Sequence, residues 1–128
     1  RWVGVEGRPS LEGTRELSVR SPRPLAESVV WAGSPRQVDP EGLGTGARWV
    51  LYGGNCCTYG LLARGDCDAI LESGLGPYDC CAVVPIVRGA GGYIAQWDGS
   101  DFTLESGASM VAASCEELAH DVLRFARR

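Results

Sequence analysis

Strand and helix signals alternate along this chain from about Trp49 onward, and this alternation constrains its fold more than any other feature. Trp49–Tyr52 is a short aromatic and aliphatic run that ends at two glycines. Asn55 can then cap a helix over Cys56–Arg64, which Gly65 closes. Strands that alternate with helices predict an open α/β sheet covered by helices, with ligands bound beyond the carboxyl ends of its strands.

The same alternation continues toward the C-terminus. Asp79 is predicted to cap a second helix that runs to about Ala90, with a kink at Pro85. Ser114 and Glu117 form an S-x-x-E capping box, and the apolar residues that follow recur at helical spacing, which predicts a terminal helix. The predicted strands in this half are residues 69–71, 93–97 and 109–113.

The first 48 residues carry weaker signals. Residues 2–6 and 16–20 are predicted as hairpin strands, and Val29–Ala32 as a buried strand. Residues 39–47 are predicted as a glycine-rich loop. This loop contains "GLGTGA", which is similar to a dinucleotide-binding glycine loop, but no strand leads into it and a strand follows it. Nucleotide binding is therefore not assigned to it.

Composition narrows the class of protein. The 128 residues suit one domain, and a hydrophobic share of 45% with a charged share of 22% is typical of a soluble globular protein. The net charge is −4 and every basic residue is an arginine, so we expect no nucleic-acid binding and exclude chemistry that needs a lysine. With no apolar stretch that could cross a membrane and no secretory signal, a cytoplasmic protein is expected.

Six cysteines lie in the sequence, four of them in adjacent pairs, and no C-x-x-C spacing occurs. A zinc site is therefore not expected. Adjacent cysteines within helical or apolar segments typically behave as small buried hydrophobes, which is the interpretation preferred here over a disulfide framework. A redox role for the thiols is the weakest of the functional hypotheses. The cysteines are Cys56, Cys57, Cys67, Cys80, Cys81 and Cys115.

Four acids, Asp66, Asp68, Glu72 and Asp79, fall within 14 residues of the sequence. Hard divalent cations such as Mg²⁺ prefer carboxylate oxygens, so this cluster is the natural candidate for a metal site. Each acid also has an ordinary structural explanation. Asp79 is typical of a helix N-cap, Glu72 of a solvated loop, and the Asp66–Asp68 pair of a turn. The residues alone leave these alternatives open.

The segment "GDCDAILESGLGPYDCCAVVPIVRGAGGYIAQWDG" resembles the C-terminal signature of the inositol-monophosphatase-like family of magnesium-dependent phosphatases. In that signature an aromatic-Asp pair opens a helix that ends in Ala-Gly-Gly. The Pro-Tyr-Asp form, with "YGGNCCTYGLLARG" before it, is similar to the histidinol-phosphatase branch. The resemblance implies the C-terminal half of an αβαβα layered sandwich, with a mixed sheet flanked by helices. Residues 1–27 would be remnant strands of the N-terminal sheet and residues 28–128 the C-terminal α/β domain.

The resemblance also implies roles for particular residues. Asp79 matches an aspartate that binds an active-site Mg²⁺, and Glu72 matches a glutamate that contacts the non-phosphate part of the substrate. Gly53, Gly54 and Asn55 match a turn whose backbone contacts the substrate, although histidinol-phosphatase-like members usually have aspartate where this chain has Asn55. A further match, Asp68, implies a structural aspartate that braces the strand leading to the site.

The upstream metal-binding motifs of the family, a glutamate and an Asp-Pro-x-Asp-Gly-Thr sequence, do not occur in these residues. The resemblance therefore implies a magnesium-dependent phosphatase of a small-molecule phosphate ester, of which this chain is a fragment that is inactive alone. Histidinol phosphate is the preferred substrate; inositol, sugar or nucleotide phosphates are the alternatives. A homodimer is a candidate assembly. A non-catalytic remnant that binds a ligand or another chain is the competing hypothesis from a different class.

Overall fold

This computed structural model describes residues 1–36, 38–105 and 109–126. It contains two β-sheets, one formed by strands before residue 25 in the sequence and one by strands after it. The first sheet is small, antiparallel and three-stranded, and the second is mixed and five-stranded. The small sheet contains β1 (Trp2–Val3), β2 (Leu11–Glu12) and β3 (Arg15–Glu16). The large sheet contains β4 (Val29–Ala32), β5 (Trp49–Tyr52), β6 (Ala69–Glu72), β7 (Tyr93–Gln96) and β8 (Met110–Ala113).

The strand order of the large sheet is β5-β4-β6-β8-β7. Strand β4 runs parallel to both β5 and β6, and β8 runs antiparallel to β6 and β7. Every residue of β6 and β8 is buried, as expected for strands near the middle of a sheet covered on both faces. The helices that cover it are α1 (Pro40–Gly46), α2 (Cys56–Arg64), α3 (Pro77–Cys80), α4 (Val83–Gly89) and α5 (Glu116–Ala126).

Alternate side chains of the strands supply two hydrophobic cores, one on each face of the sheet. On one face, Leu71 packs with Leu118 and Val122 of α5. On the other face, Ile70 packs with the side chains of α2 and α4. This two-sided packing confirms the predicted fold class, an α/β structure with a mixed sheet flanked by helices. Strands β4 and β5 and helix α2, with its Asn55 cap and Gly65 terminus, lie where the sequence predicts them.

The prediction of a loop over residues 39–47 is wrong, because this segment forms α1. Asp39 caps the helix through a 3.0 Å hydrogen bond that its side chain accepts from Glu41 N, and Pro40 occupies the first turn. The glycines of α1 serve its packing against α5. A Cβ on Gly42 would clash with the carbonyl oxygen of Phe125, and one on Gly46 would lie 2.9 Å from the Phe125 ring. A larger residue would push the two helices apart.

The prediction of one helix over residues 79–90 is also wrong, because the segment is divided into α3 and α4. Pro85 is the third residue of α4, a position where the missing N–H costs nothing. Its ring is incompatible with a regular helical carbonyl at Cys81, so the helix is interrupted at Cys81 and Ala82, which keep helical dihedral angles, as expected for the kink predicted at Pro85. Asp79 is the third residue of α3, not its N-cap, since Gly76 occupies the cap position before Pro77.

Two further predictions fail near the chain termini. Residues 17–20 do not continue β3; Leu17 is buried beside Ala63 and Ala90, and Val19 N donates to the Ala90 carbonyl at 2.9 Å. The segment therefore crosses to the end of α4 instead of pairing with β1. The S-x-x-E capping box is absent because α5 begins at Glu116, one residue too late for Ser114 to cap it, and the buried Ser114 hydroxyl has no hydrogen-bond partner among the described residues.

Candidate functional site

The loops that follow β4, β5 and β6 lie at one edge of the large sheet, because these three parallel strands end on the same side. Backbone hydrogen bonds hold the loops against neighbouring strands. Gly33 N donates to the Leu71 carbonyl at 2.9 Å, and Gly53 N donates to the Ala32 carbonyl at 3.0 Å. Ligands of open α/β sheets bind at such an edge. Glu72 and the Gly53-Gly54-Asn55 turn both lie here, since they end β6 and follow β5.

The Gly53-Gly54-Asn55 turn connects β5 to α2. Gly53 and Gly54 both have positive φ, +96° and +95°, and a Cβ on Gly54 would clash with the Thr58 side chain. A side chain is therefore excluded from Gly54 both by conformation and by space. Asn55 confirms its predicted role as helix cap, since its side-chain oxygen accepts a 2.9 Å hydrogen bond from Cys57 N. The contact of this turn with a substrate stays a prediction.

Glu72 is the last residue of β6 and only 7% of its surface is exposed. Its interpretation as a solvated loop acid is wrong, because the strand extends one residue further than predicted and pairs Glu72 with Met110. The buried Oε2 atom has no hydrogen-bond partner among the described residues. Burial raises the pKa of this carboxyl above 4.5, the nearby Tyr59 hydroxyl partly lowers it, and the charge of Asp79 raises it further.

Asp79 is exposed at the start of α3. Its Oδ2 atom accepts a 2.7 Å hydrogen bond from Gly76 N, so one oxygen holds the first turn of the helix. The negative charge of Asp79 contributes to the raised pKa values of Cys56, Cys80 and Glu72, which places its carboxylate in their neighbourhood. Glu72 and Asp79 thus come together at the sheet edge. Neither forms an ion pair with a basic side chain in the described part of the chain.

Strand β6 divides the four acids that cluster in the sequence. Asp66 and Asp68 precede the strand, whereas Glu72 ends it, so about 10 Å of extended chain separates the two groups. Asp66 pairs with Arg64 at 3.0 Å. Asp68 is fully buried and accepts a 2.8 Å hydrogen bond from Val29 N, where β4 begins. The structural position that the resemblance implies for Asp68 agrees with these contacts, and the metal cluster suggested by spacing reduces to Glu72 and Asp79.

The arginine partners of Asp68 come from the segment between the two sheets. Arg20 lies 3.1 Å from Oδ2 and forms both an ion pair and a hydrogen bond with it. Arg23 lies 3.3 Å from Oδ1, close enough for an ion pair, but without the geometry of a hydrogen bond. Asp68 therefore ties the segment before β4 to the start of β6 at the end of the sheet opposite the site.

The buried-thiol interpretation of the cysteines holds for Cys67 and Cys80, but it is wrong for Cys56, Cys57 and Cys81, which are exposed. Cys56 and Cys57 form the first turn of α2, whose buried face begins at Thr58. All six cysteines are free. Burial raises the pKa of Cys67 to about 12 and that of Cys80 to about 11, so both remain thiols at neutral pH.

Tyr59 belongs to this site but is not among the site residues predicted from the sequence. It lies one turn into α2, 2% exposed, in the same hydrophobic core as Ile70 and Cys80. Its hydroxyl has no hydrogen-bond partner among the described residues but lies close enough to Glu72 for each group to shift the pKa of the other. The sequence offers one signal for this residue. Tyr59 lies four residues after Asn55, so the two positions share one face of α2, which begins at the predicted ligand site.

The donor chemistry of the site fits a hard cation, although the set is incomplete. Asp79 offers an exposed carboxylate, the kind of oxygen ligand that Mg²⁺ binds, often through one or two protein carboxylates together with waters and substrate phosphate. Across residues 1–36, 38–105 and 109–126, no three His, Cys, Asp or Glu side chains are arranged to hold a metal ion together.

In the same residues, no helix has the length and apolarity that a membrane span requires.

Helices on both faces of a mixed sheet, with carboxylates at the carboxyl ends of its parallel strands, define an α/β protein with a candidate ligand site at that end of the sheet. The sequence profile of the inositol monophosphatase family matches residues 12–127. The chain therefore belongs to the inositol monophosphatase family, which confirms the resemblance at family level. The match leaves the histidinol-phosphatase branch undecided.

Individual relatives agree with the family assignment. The chain is 38% identical over 120 residues to the chloroplastic bifunctional phosphatase IMPL2 of Arabidopsis thaliana, covering 89% of this chain and 35% of that protein. An inositol monophosphatase from Zymomonas mobilis superposes with a TM-score of 0.90 and 33% identity, over 98% of this chain and 52% of that one. The suppressor protein suhB from Bartonella henselae, 19% identical with a TM-score of 0.86, shares the fold. This chain thus spans about half the length of these solved structures and about a third of the plant protein.

Replacing Glu72 with Gln should raise the free energy of unfolding at neutral pH. Because burial raises the pKa of Glu72 in the folded state, the native protein binds more protons than the unfolded chain between the two pKa values. Stability is then lost as pH rises through that window, and below about pH 4.5 the penalty is absent. Urea unfolding from about pH 4 to about pH 8 measures this dependence.

The matched control is Glu6→Gln, which neutralises an exposed glutamate in a turn of the N-terminal segment. We expect its unfolding curves to follow the wild type at every pH. If the free energy of unfolding of Glu72→Gln changed with pH in the same way as that of the wild type, the ionised Glu72 carboxylate would not destabilise the fold.

Proposed function

We propose that this chain supplies metal-binding and substrate-binding groups to a magnesium-dependent phosphomonoesterase, and that the ester is histidinol phosphate or a similar amino-alcohol phosphate. One observation carries the proposal. Two carboxylates, the buried Glu72 and the exposed Asp79, meet at the ligand edge of the sheet without a basic side chain paired to either one in the described residues.

A buried carboxylate without a partner is costly, and a second negative charge nearby adds to that cost. Both negative charges would be compensated if the metal and the substrate that bind at the site carried positive charge. A cation at Asp79 and an ammonium group against Glu72 would satisfy the two acids together. Histidinol phosphate carries a primary ammonium group, whereas inositol phosphates offer only hydroxyl donors in the same role. The charge balance therefore favours the amino alcohol.

The residues of the chain have distinct tasks in this proposal. Asp79 offers one carboxylate oxygen to the metal while Gly76 N holds the other. A Mg²⁺ held by Asp79 and by groups from outside this chain would supply Lewis-acid chemistry for water activation and for charge on the leaving oxygen. Glu72 orients the non-phosphate part of the ester, and the glycines of the Gly53-Gly54-Asn55 turn allow the backbone to approach it closely. Since no three-ligand set exists in the described residues, residues 1–128 alone should not hydrolyse the ester.

Inositol monophosphate is the second candidate substrate. The Zymomonas mobilis relative, an inositol monophosphatase, is 33% identical to this chain, and Asn55 stands where histidinol-phosphatase-like proteins usually have aspartate. Both observations weigh toward a neutral polyol.

Steady-state assays of the natural polypeptide that contains these residues separate the two candidates. We expect kcat/KM to be higher for histidinol phosphate than for inositol 1-phosphate, and Glu72→Gln to reduce this preference. If Glu72→Gln lowered kcat/KM equally for both esters, Glu72 would not recognise the ammonium group. A higher kcat/KM for inositol 1-phosphate than for histidinol phosphate would reverse the substrate assignment.

A non-catalytic interaction module is the candidate from another class, and the exposed strand β5 favours it. This edge strand leaves Trp49 62% exposed, with Leu51 and Tyr52 also at the surface, and exposed apolar edges are sites of association. Such a module, or a homodimer, would elute above the monomer size in size-exclusion chromatography. A monomer that binds neither another chain nor a ligand would argue against the interaction module.

A further inference from the structure

We infer that Tyr59 is a positioning residue, which fixes the Glu72 carboxylate relative to the Gly53-Gly54-Asn55 turn and so sets the affinity for the non-phosphate part of the substrate. The inference rests on the proposed function, in which Glu72 and the turn contact the same ester. Tyr59 itself is too deeply buried to meet the substrate.

The two polar groups lie in a shared apolar environment. Tyr59 and Glu72 are 2% and 7% exposed, and α2 packs directly on β6. No hydrogen bond of good geometry joins the Tyr59 hydroxyl or Glu72 Oε2 to a described residue, although the two groups lie close enough for the hydroxyl to lower the pKa of the carboxyl as a hydrogen-bond donor does. Buried polar groups normally find partners, so an unpaired donor beside an unpaired acceptor indicates a contact that closes with a small side-chain adjustment. Hydrogen bonds of a site without its ligand are often long and tighten on binding.

The electrostatic coupling supports the same pairing. Burial and the charge of Glu72 raise the pKa of Tyr59 well above 10, so the hydroxyl keeps its proton and stays a donor at neutral pH. In return, the hydroxyl lowers the pKa of Glu72 and favours the ionised carboxylate. A hydrogen bond to a charged group is stronger than one between neutral groups, which suits a side chain that must hold one orientation.

Tyr59 is well placed to connect the two substrate contacts because α2 is capped at both of its ends. Asn55 caps its first turn, and Gly65 terminates it in the left-handed conformation. Next to Tyr59, Gly60 has no side chain and lets the Trp2 ring pack against the helix. The turn that opens α2 and the glutamate that ends β6 therefore meet through one side chain, Tyr59.

The test compares Tyr59→Phe, Glu72→Leu, which removes the acceptor oxygens, and the double variant in the natural polypeptide that contains these residues, with histidinol phosphate and inositol 1-phosphate as the probes. Phenylalanine keeps the packing and removes only the hydroxyl. We expect KM to rise by about tenfold in Tyr59→Phe, the effect of one hydrogen bond to a charged group, with kcat within about twofold. In the Glu72→Leu background, where no acceptor remains, the same change should leave KM unaltered. The matched control is Tyr93→Phe on β7, which should change neither constant.

A second measurement does not depend on activity. In a double-mutant cycle of urea unfolding, Tyr59→Phe and Glu72→Leu should be non-additive by at least about twofold in the unfolding equilibrium constant. Additive effects would overturn the contact. Non-additive unfolding with KM raised by Glu72→Leu but not by Tyr59→Phe would overturn the positioning role and leave the proposed function intact. If neither ester is hydrolysed, the proposed function fails and the substrate role of Tyr59 fails with it, whereas the unfolding cycle still decides whether the two side chains interact.

Discussion

Replacing Asp79 with Asn should lower kcat/KM for phosphomonoester hydrolysis by about 10³-fold or more in the natural polypeptide that contains these residues, as expected for loss of a metal ligand. The substitution removes the charge but keeps the size and one carbonyl oxygen. That oxygen can still accept the hydrogen bond from Gly76 N, so α3 should keep its first turn. Since Asp79 is exposed, the free energy of unfolding should change by less than about 1 kcal/mol.

The matched control is Asp66→Asn. Asp66 is also exposed and belongs to the same sequence cluster, but it lies at the opposite end of β6 and pairs with Arg64. We expect wild-type kinetics from this variant. Activity that survives Asp79→Asn, or an equal loss in both variants, would contradict the role proposed for Asp79.

Replacing Asp68 with Ala should lower the free energy of unfolding by about 2–3 kcal/mol, because a buried backbone N–H loses its acceptor while the partly exposed arginines can turn to solvent. Asp68 is fully buried, and its loss would leave Val29 N without its acceptor and the guanidinium groups of Arg20 and Arg23 without their carboxylate. Asp68→Asn can retain the bond from Val29 N, so it should cost less than Asp68→Ala. Urea unfolding at neutral pH measures both effects.

Asp66→Ala is the control for this prediction, because it breaks an exposed ion pair that contributes about 1 kcal/mol or less. An Asp68→Ala protein with stability equal to that of Asp66→Ala would show that the two arginines hold the segment before β4 without help from Asp68.

The parts of the fold that sequence predicts well are those decided by neighbouring residues. The Asn55 cap and the Gly65 terminus lie next to the helix they bound, so the limits of α2 are predicted to the residue. The apolar spacing of α5 likewise belongs to the helix itself. Strands β4 and β5 are short apolar runs between turn residues, and their positions follow from the same local signals.

The parts that sequence misses depend on contacts between distant residues. The glycines of α1 predict a loop, and the close approach of Phe125, far along the chain, explains why glycines occupy this helix. Asp79 is a different case. Gly76 and Pro77, which directly precede it, begin the helix, so a local signal outweighs the preference of aspartate for the N-cap.

The candidate site shows the same division. Resemblance to the family identifies Glu72, Asp79 and the glycine turn, but spacing alone also includes Asp66 and Asp68, which β6 carries to the far end of the sheet. The burial of Glu72 follows from the pairing of β6 with β8, and the approach of Tyr59 follows from the packing of α2 on β6. Both features arise between elements, so no local pattern predicts them.

Metal binding tests the central claim, that the Asp79 carboxylate is available to a hard cation, most directly. Mn²⁺ is a paramagnetic substitute for Mg²⁺, and its binding to the natural polypeptide that contains these residues can be followed by electron paramagnetic resonance without any substrate. We expect Mg²⁺ to displace Mn²⁺ from the wild type, and Asp79→Asn to weaken Mn²⁺ binding by at least about tenfold while Asp66→Asn leaves it unchanged. Equal Mn²⁺ affinity in the wild type and both variants would contradict the account.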